Sequence, residues 1–135
     1  MTFLQAFYLY LMTIPAFFII DMIWLGTLAT KFYQSQIGFL LGPVNWVAAI
    51  VFYLIYIVGI IIFAVNPALE AGSLGKAIML GALFGFFAYA TYDFTNLATI
   101  KDWPVLVTVV DIIWGTILTS SVAGVSYYLG KTFIL

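Results

Sequence analysis

Four apolar stretches, each long enough to cross a bilayer, occupy nearly the whole chain and decide what it can fold into. A hydrocarbon core roughly 30 Å thick calls for about 20 predominantly apolar residues in a helix. Charges, glycines and prolines punctuate the sequence into helices expected over residues 3–30, 43–65, 76–98 and 104–130. Hydrophobic residues make up 66% of the 135 and charged ones 7%, too few polar groups to clothe a soluble core. The expected fold is therefore an all-α membrane protein, one transmembrane domain over residues 1–135 built as a four-transmembrane-helix bundle with both termini on the same side. The N-terminus lacks a basic region and a small-residue cleavage motif, so the first stretch is expected to remain as a span.

Composition also excludes several kinds of chemistry. Without cysteine or histidine there is no thiolate or imidazole metal site, no disulfide framework and no histidine-dependent triad. Four lysines, no arginine and a formal charge of -1 leave no basic surface for nucleic acid. Glycine pairs are not followed by Lys-Ser/Thr or preceded by a strand, so no phosphate loop is present and no cofactor is expected. The partner these features require is the lipid bilayer, and a chain this small could also need a second copy of itself or another membrane protein.

Between the spans, Lys31-Phe-Tyr-Gln-Ser-Gln-Ile-Gly-Phe-Leu-Leu-Gly42 is too short to cross and suits an interfacial loop. Pro15 removes a backbone donor inside the first helix and predicts a tilt or kink there. Pro43 suits the first turn of the second helix, and Asn66-Pro67 is expected to stop it. On the third helix Gly81, Gly85 and Ala88 form a small-residue stripe that lets a neighbour approach closely, and Thr116, Ser120 and Gly124 form another on the fourth. Four spans put both termini on one side, here side A, and the 31–42 and 99–103 connections on side B. Lys76 and Lys131 fall on side A, Lys31 and Lys101 on side B, so only the terminal amine tips the charge balance. The resulting expectation is a multi-pass protein of the inner (cytoplasmic) membrane with cytoplasmic N- and C-termini.

Against this apolar background three acidic residues stand out: Asp21, Asp93 and Asp111. A charge at a helix centre costs about 2.5–3.5 kcal/mol on insertion scales and generally faces a bundle interior or an aqueous cavity. Counting residues from Lys31 and Lys101 at 1.5 Å per residue puts all three roughly 12–15 Å below side B. Around Asp93, Tyr89 and Asn96 share its helical face, with Tyr92 and Thr95 beside them. Thr108, Asp111 and Gly115 share a face of the fourth helix. Trp24 and Trp114 each follow an aspartate by three residues, as pocket walls or as ordinary lipid-facing aromatics, whereas Trp46 and Trp103 at helix ends suit the interfacial belt. The stretches Phe17-Phe-Ile-Ile-Asp-Met-Ile-Trp-Leu-Gly-Thr-Leu28 and Val107-Thr-Val-Val-Asp-Ile-Ile-Trp-Gly-Thr-Ile-Leu118 share an Asp-x-Ile-Trp core on oppositely directed helices. Such a pair could reflect an inverted repeat, although matched depth near side B argues against a site on its axis.

The run Thr91-Tyr-Asp-Phe-Thr-Asn-Leu-Ala-Thr-Ile-Lys-Asp-Trp-Pro104, continued by Val107-Thr-Val-Val-Asp-Ile-Ile-Trp-Gly115, resembles the signature of a bacterial membrane-protein family catalogued as domain of unknown function 2177. Asp21-Met-Ile-Trp-Leu-Gly26 resembles its first-helix motif, so the likeness spans essentially the whole chain. The resemblance implies a four-helix bacterial membrane protein and supplies no activity or catalytic residue.

Unpaired carboxylates in a membrane must take up protons or hold a cation. Asp21, Asp93 and Asp111, supported by Asn96, Tyr92 and Thr108 and walled by Trp24, Trp114 and Tyr89, are thus candidates for a proton- or hard-cation-binding site used in transport of a small solute. Two alternatives use the same residues. As general acid and base they would serve an enzyme acting on a lipid or isoprenoid substrate. As hydrogen-bonding glue worth about 0.6–2 kcal/mol per contact they would serve a non-catalytic subunit of a membrane assembly.

Overall fold

The first span starts where Thr2 and Gln5 satisfy each other's backbone donors: Gln5 N–H donates to Thr2 Oγ1 at 3.1 Å and Thr2 N–H to Gln5 Oε1 at 2.8 Å. From this box, in the computed structural model describing residues 1–135, helix α1 runs over Phe3–Trp24 and passes Pro15 without a break. A π-helical turn at Leu25–Ala29 then leads directly into α2, Thr30–Ile37, and a 3₁₀ turn at Gly38–Leu40. The stretch expected to be an interfacial loop is thus helical to Leu40, and the first element extends ten residues past its expected end at residue 30. The reason is local: nothing between Gly26 and Gly38 breaks a helix, and Thr30 absorbs the wide turn by donating its hydroxyl to the Leu25 carbonyl at 2.8 Å. Thr30, Tyr33, Gln34 and Ile37 then share one helical face.

The second span departs from expectation at both ends. Pro43 lies outside the helix; α3, Trp46–Ile60, begins after Asn45, whose side chain accepts the Ala48 N–H at 3.1 Å. Asn66-Pro67 does not stop it either. A π-helical turn at Ile61–Val65 carries the chain into α4, Asn66–Ala71, with Pro67 in the first turn, where a helix needs no donor. Termination comes at Gly72, which takes the left-handed conformation (φ 62°) while Ser73 N–H donates to the Ala68 carbonyl at 3.0 Å. Ser73 next caps α5, Leu74–Thr99, by accepting the Lys76 N–H at 3.0 Å. After a tight turn in which Asp102 has φ 64°, Pro104 precedes α6, Val105–Leu129, and a π-helical turn at Gly130–Ile134 follows. There are no strands, and four helical runs are long and apolar enough to cross a membrane: Phe3–Leu40, Trp46–Ala71, Leu74–Thr99 and Val105–Ile134. Gln5 Nε2 donates to the Ile134 carbonyl at 3.4 Å, so the two ends of the chain lie together.

Lipid is as apolar as leucine, so helices in a bilayer associate by close packing and hydrogen bonds rather than by hydrophobic burial. The α5–α6 pair is the tightest in the molecule. A methyl group on Gly81 would come within 2.7 Å of Ala123 Cβ, and one on Gly85 would strike the Gly115 carbonyl and lie 2.6 Å from Thr119 Cβ. The glycine stripe of α5 therefore receives α6 along Gly115, Thr119 and Ala123, one position round from the Thr116, Ser120, Gly124 stripe picked out in the sequence. Buried hydroxyls tie the other elements to this pair: Thr13 with Ser126 and Tyr56 with Thr119, each at 2.8 Å. Leu9, Phe17, Ile57, Ile60, Leu118 and Val122 pack fully buried around these bonds.

Gly85→Ala is expected to lower stability by about 1–3 kcal/mol through overpacking against backbone. Gly124→Ala, whose added carbon would sit 3.4 Å from Ile78 Cγ1, is expected to be near neutral. Thermal unfolding of the two variants in detergent checks the contrast; equal midpoints would mean that the close approach is not what holds α5 to α6.

Candidate functional site

Beyond this packed end, α3 packs on α1 and reaches the α5–α6 pair through Tyr56, and α2 closes over the side-B end, where Ile37 packs with Trp103 and Val107. A cavity of about 450 Å³ remains between these elements. Nineteen residues line it; three are aspartates and none is basic. Asp21, Asp93 and Asp111 come from α1, α5 and α6 respectively, so the three acidic residues of the spans face one space.

Their surroundings differ. Asp21 is 5% exposed, with the Tyr53 hydroxyl of α3 and the Trp114 indole of α6 as polar neighbours. Asp111 is half-buried and accepts a hydrogen bond from the Tyr33 hydroxyl at 2.7 Å. Asp93 is fully buried beside Asp111, and neither of its carboxylate oxygens has a hydrogen-bond partner. Two ionised carboxylates accept and do not donate, so a proton shared between Asp93 and Asp111 would bond them while two bare charges would repel. A buried acceptor with no donor costs about 1–3 kcal/mol, more when charged. Asp93 therefore calls for a proton or for a cation that brings its own donors.

Aromatic rings form most of the remaining wall. The two Asp-x-Ile-Trp segments meet: the indoles of Trp24 and Trp114 stack with centroids 5.0 Å apart at 16°. Trp114 lies beside Asp21, and Trp24 beside the Tyr33 hydroxyl that donates to Asp111, so each indole borders the other segment's aspartate or its donor. The Trp24 Nε1–H is buried without an acceptor. Tyr89 lines the cavity with its ring packed on Gly115, where any side chain would collide with it. Tyr92 also lines it and meets Trp103 edge-on at 6.2 Å.

Two of the residues singled out in the sequence lie outside the wall. Thr108 is buried behind it, accepting the Trp103 Nε1–H at 3.1 Å and donating to the Pro104 carbonyl at 3.3 Å. Asn96 is half-buried beside Tyr92 and does not line the cavity. Trp103, expected in the interfacial belt, is instead 8% exposed and lines the cavity, because the turn that ends α5 folds its indole back to Thr108. Tyr33 and Tyr53 were not singled out in the sequence. The face Thr30, Tyr33, Gln34, Ile37 was the available signal for the first, and it points to the cavity only once the π-helical turn keeps α2 in line with α1.

No three acidic groups come close enough to share a metal ion. A hard divalent cation held by carboxylates alone does not match this spacing, since such ions gather six or more oxygens at about 2.0–2.6 Å. Tyr33→Phe, which removes the hydroxyl that donates to Asp111, is expected to cost about 1–2 kcal/mol of stability. Thermal unfolding beside Tyr8→Phe, at a half-exposed tyrosine remote from the cavity, checks this; equal shifts would count against it.

Helices of these lengths around an aromatic-walled cavity that holds three aspartates define a polytopic helical membrane protein. The chain belongs to the DUF2177 family of predicted membrane proteins, whose family model matches residues 6–128 and so takes in all three aspartates. No curated protein and no solved structure matches it.

Proposed function

We propose that the protein couples movement of a small solute across the membrane to protons, with Asp93 and Asp111 as the exchanging pair. The observation that carries this is the fully buried Asp93 carboxyl, set beside the Asp111 carboxyl on a cavity that holds no basic residue. The groups facing the pair are Asp21 from α1, Tyr33 from α2, Tyr53 from α3 and Tyr89 and Tyr92 from α5. None of them supplies a fixed positive charge, so neutrality at Asp93 is left to whatever enters.

Loss of the proton shared by Asp93 and Asp111 leaves a carboxylate that attracts a cation; departure of the cation restores affinity for a proton. Mutually exclusive occupancy of one carboxylate by proton and cation is the minimal coupling device. In this reading the chain lies in the inner membrane with both termini in the cytoplasm, and the cavity faces the opposite side when protonated from there.

Proteoliposomes holding a pH-sensitive dye test the proposal. Outward gradients of sodium, potassium or guanidinium should acidify the lumen as cations leave in exchange for protons, and Asp111→Asn should reduce the rate severely. If none of the three gradients moves protons faster than in protein-free liposomes, the proposal fails. Turnover of added lipid by the same preparation, lost in Asp111→Asn, would replace it with the enzyme reading.

A further inference from the structure

We infer that Tyr33 is a positioning residue for the acid pair: by donating its hydroxyl proton to Asp111 it makes Asp111 the accepting carboxylate and leaves the shared proton on Asp93. The inference rests on the reading of Asp93 and Asp111 as the exchanging pair and says how the proton is placed within it.

The direction of donation can be followed group by group. An indole N–H only donates, a phenol donates and accepts, and an ionised carboxylate only accepts. Trp24 Nε1–H stands beside the Tyr33 hydroxyl, and Asp111 Oδ1 lies 2.7 Å from that hydroxyl. Its indole neighbour can take no proton from it, so the phenol directs its single one to Asp111, at a distance that suits a hydroxyl on a carboxylate. Asp111 in turn stands beside Asp93, to which no N–H or O–H of the fold donates. Held by Asp93, the shared proton leaves the charge on half-buried Asp111, which then accepts from both Tyr33 and Asp93. Held by Asp111, it would leave the charge on fully buried Asp93 with one donor. The first arrangement wins on both burial and hydrogen bonding.

Tyr33 owes its place to the π-helical turn at Leu25–Ala29, which keeps α2 in line with α1, and to Ile37 one turn further on, packed with Trp103 and Val107. Asp93 has no exposed surface, so its proton leaves by way of Asp111, the carboxyl that Tyr33 holds. The other titratable groups facing the pair are Asp21 from α1, Tyr53 from α3 and Tyr89 and Tyr92 from α5; no lysine lines the cavity. Tyr53 has its own acid to serve, since its hydroxyl neighbours Asp21.

Infrared titration of the full chain in a maltoside detergent, which has no carbonyl of its own, reads the placement without a gradient or an added cation. On acidification Asp111 should gain a protonated-carboxyl C=O band in a step that Asp111→Asn removes. Donation from Tyr33 favours the carboxylate form of Asp111, so in Tyr33→Phe that step should come at higher pH, by about one unit or more. Tyr53→Phe, the same change beside Asp21, should leave the Asp111 step in place. A downward displacement in Tyr33→Phe would mean that Tyr33 accepts from a protonated Asp111 and overturns the inference. No displacement, an equal one in Tyr53→Phe, or the absence of any step that Asp111→Asn removes overturns it as well. The displacement without proton flux in liposomes would leave this inference and remove the transport reading; flux without the displacement would do the reverse.

Discussion

Asp93→Asn should yield a protein that is more stable than the wild type and carries no proton-coupled flux. Ordinarily a substitution inside a packed membrane helix that abolishes function also weakens the fold, so the two effects in opposite directions are diagnostic. The wild-type carboxyl is fully buried and stands beside Asp111, so only a shared proton keeps the two from repelling. An amide of the same shape removes the ionisable group and brings N–H donors that Asp111 can accept. Once rising pH removes the shared proton, the wild type buries an unsatisfied charge that the amide avoids, a difference of about 1–3 kcal/mol, which thermal unfolding in detergent at raised pH resolves as several degrees. Flux should fall to the level of empty liposomes, because an amide neither releases a proton nor pairs with a cation. Loss of stability by a similar amount, with flux retained, would mean that Asp93 is a structural contact.

Trp114→Ala should be the second most damaging change at the site, and for a different reason. The indole stacks on Trp24 at 5.0 Å and stands beside Asp21, so its removal opens the wall and unpins both neighbours. A fully buried tryptophan truncated to alanine costs about 3–5 kcal/mol; Trp114 is half-buried, and about 2 kcal/mol is expected. Trp46→Ala is the control, since that side chain is 65% exposed at the start of α3 and lies outside the cavity. Thermal unfolding of both variants settles the matter: indistinguishable behaviour would remove Trp114 from the site.

Much of this architecture could be read without coordinates because a bilayer imposes few solutions. The length of an apolar run sets a span, and the cost of a buried charge picks out Asp21, Asp93 and Asp111. What could not be read was continuity. π-helical turns at Leu25–Ala29, Ile61–Val65 and Gly130–Ile134 each accommodate an extra residue, so elements persist past residue 30 and through Asn66-Pro67 and Gly130, where they were expected to end. The first of these turns extends the opening helix into α2 and delivers Tyr33 to Asp111. Aromatic residues were also ambiguous one by one. With nine tyrosines and four tryptophans, spacing alone does not separate the Tyr53 and Trp103 that line the cavity from the Tyr8 and Trp46 that face outward. The glycine stripe of α5 was legible as a contact, yet its partner face on α6 turned out one residue away, since small side chains on both sides satisfy the same pattern.

The central claim is that Asp93 holds a proton which a cation displaces. Infrared difference spectroscopy of the reconstituted protein at fixed pH, with sodium, potassium or guanidinium added and withdrawn, observes that exchange at the carboxyl itself. A protonated-carboxyl C=O band should disappear on addition and return on withdrawal, with carboxylate bands changing in the opposite sense, and Asp93→Asn should show neither change. Carboxyl bands that do not respond to any of the three cations, or that respond equally in Asp93→Asn, would contradict the account.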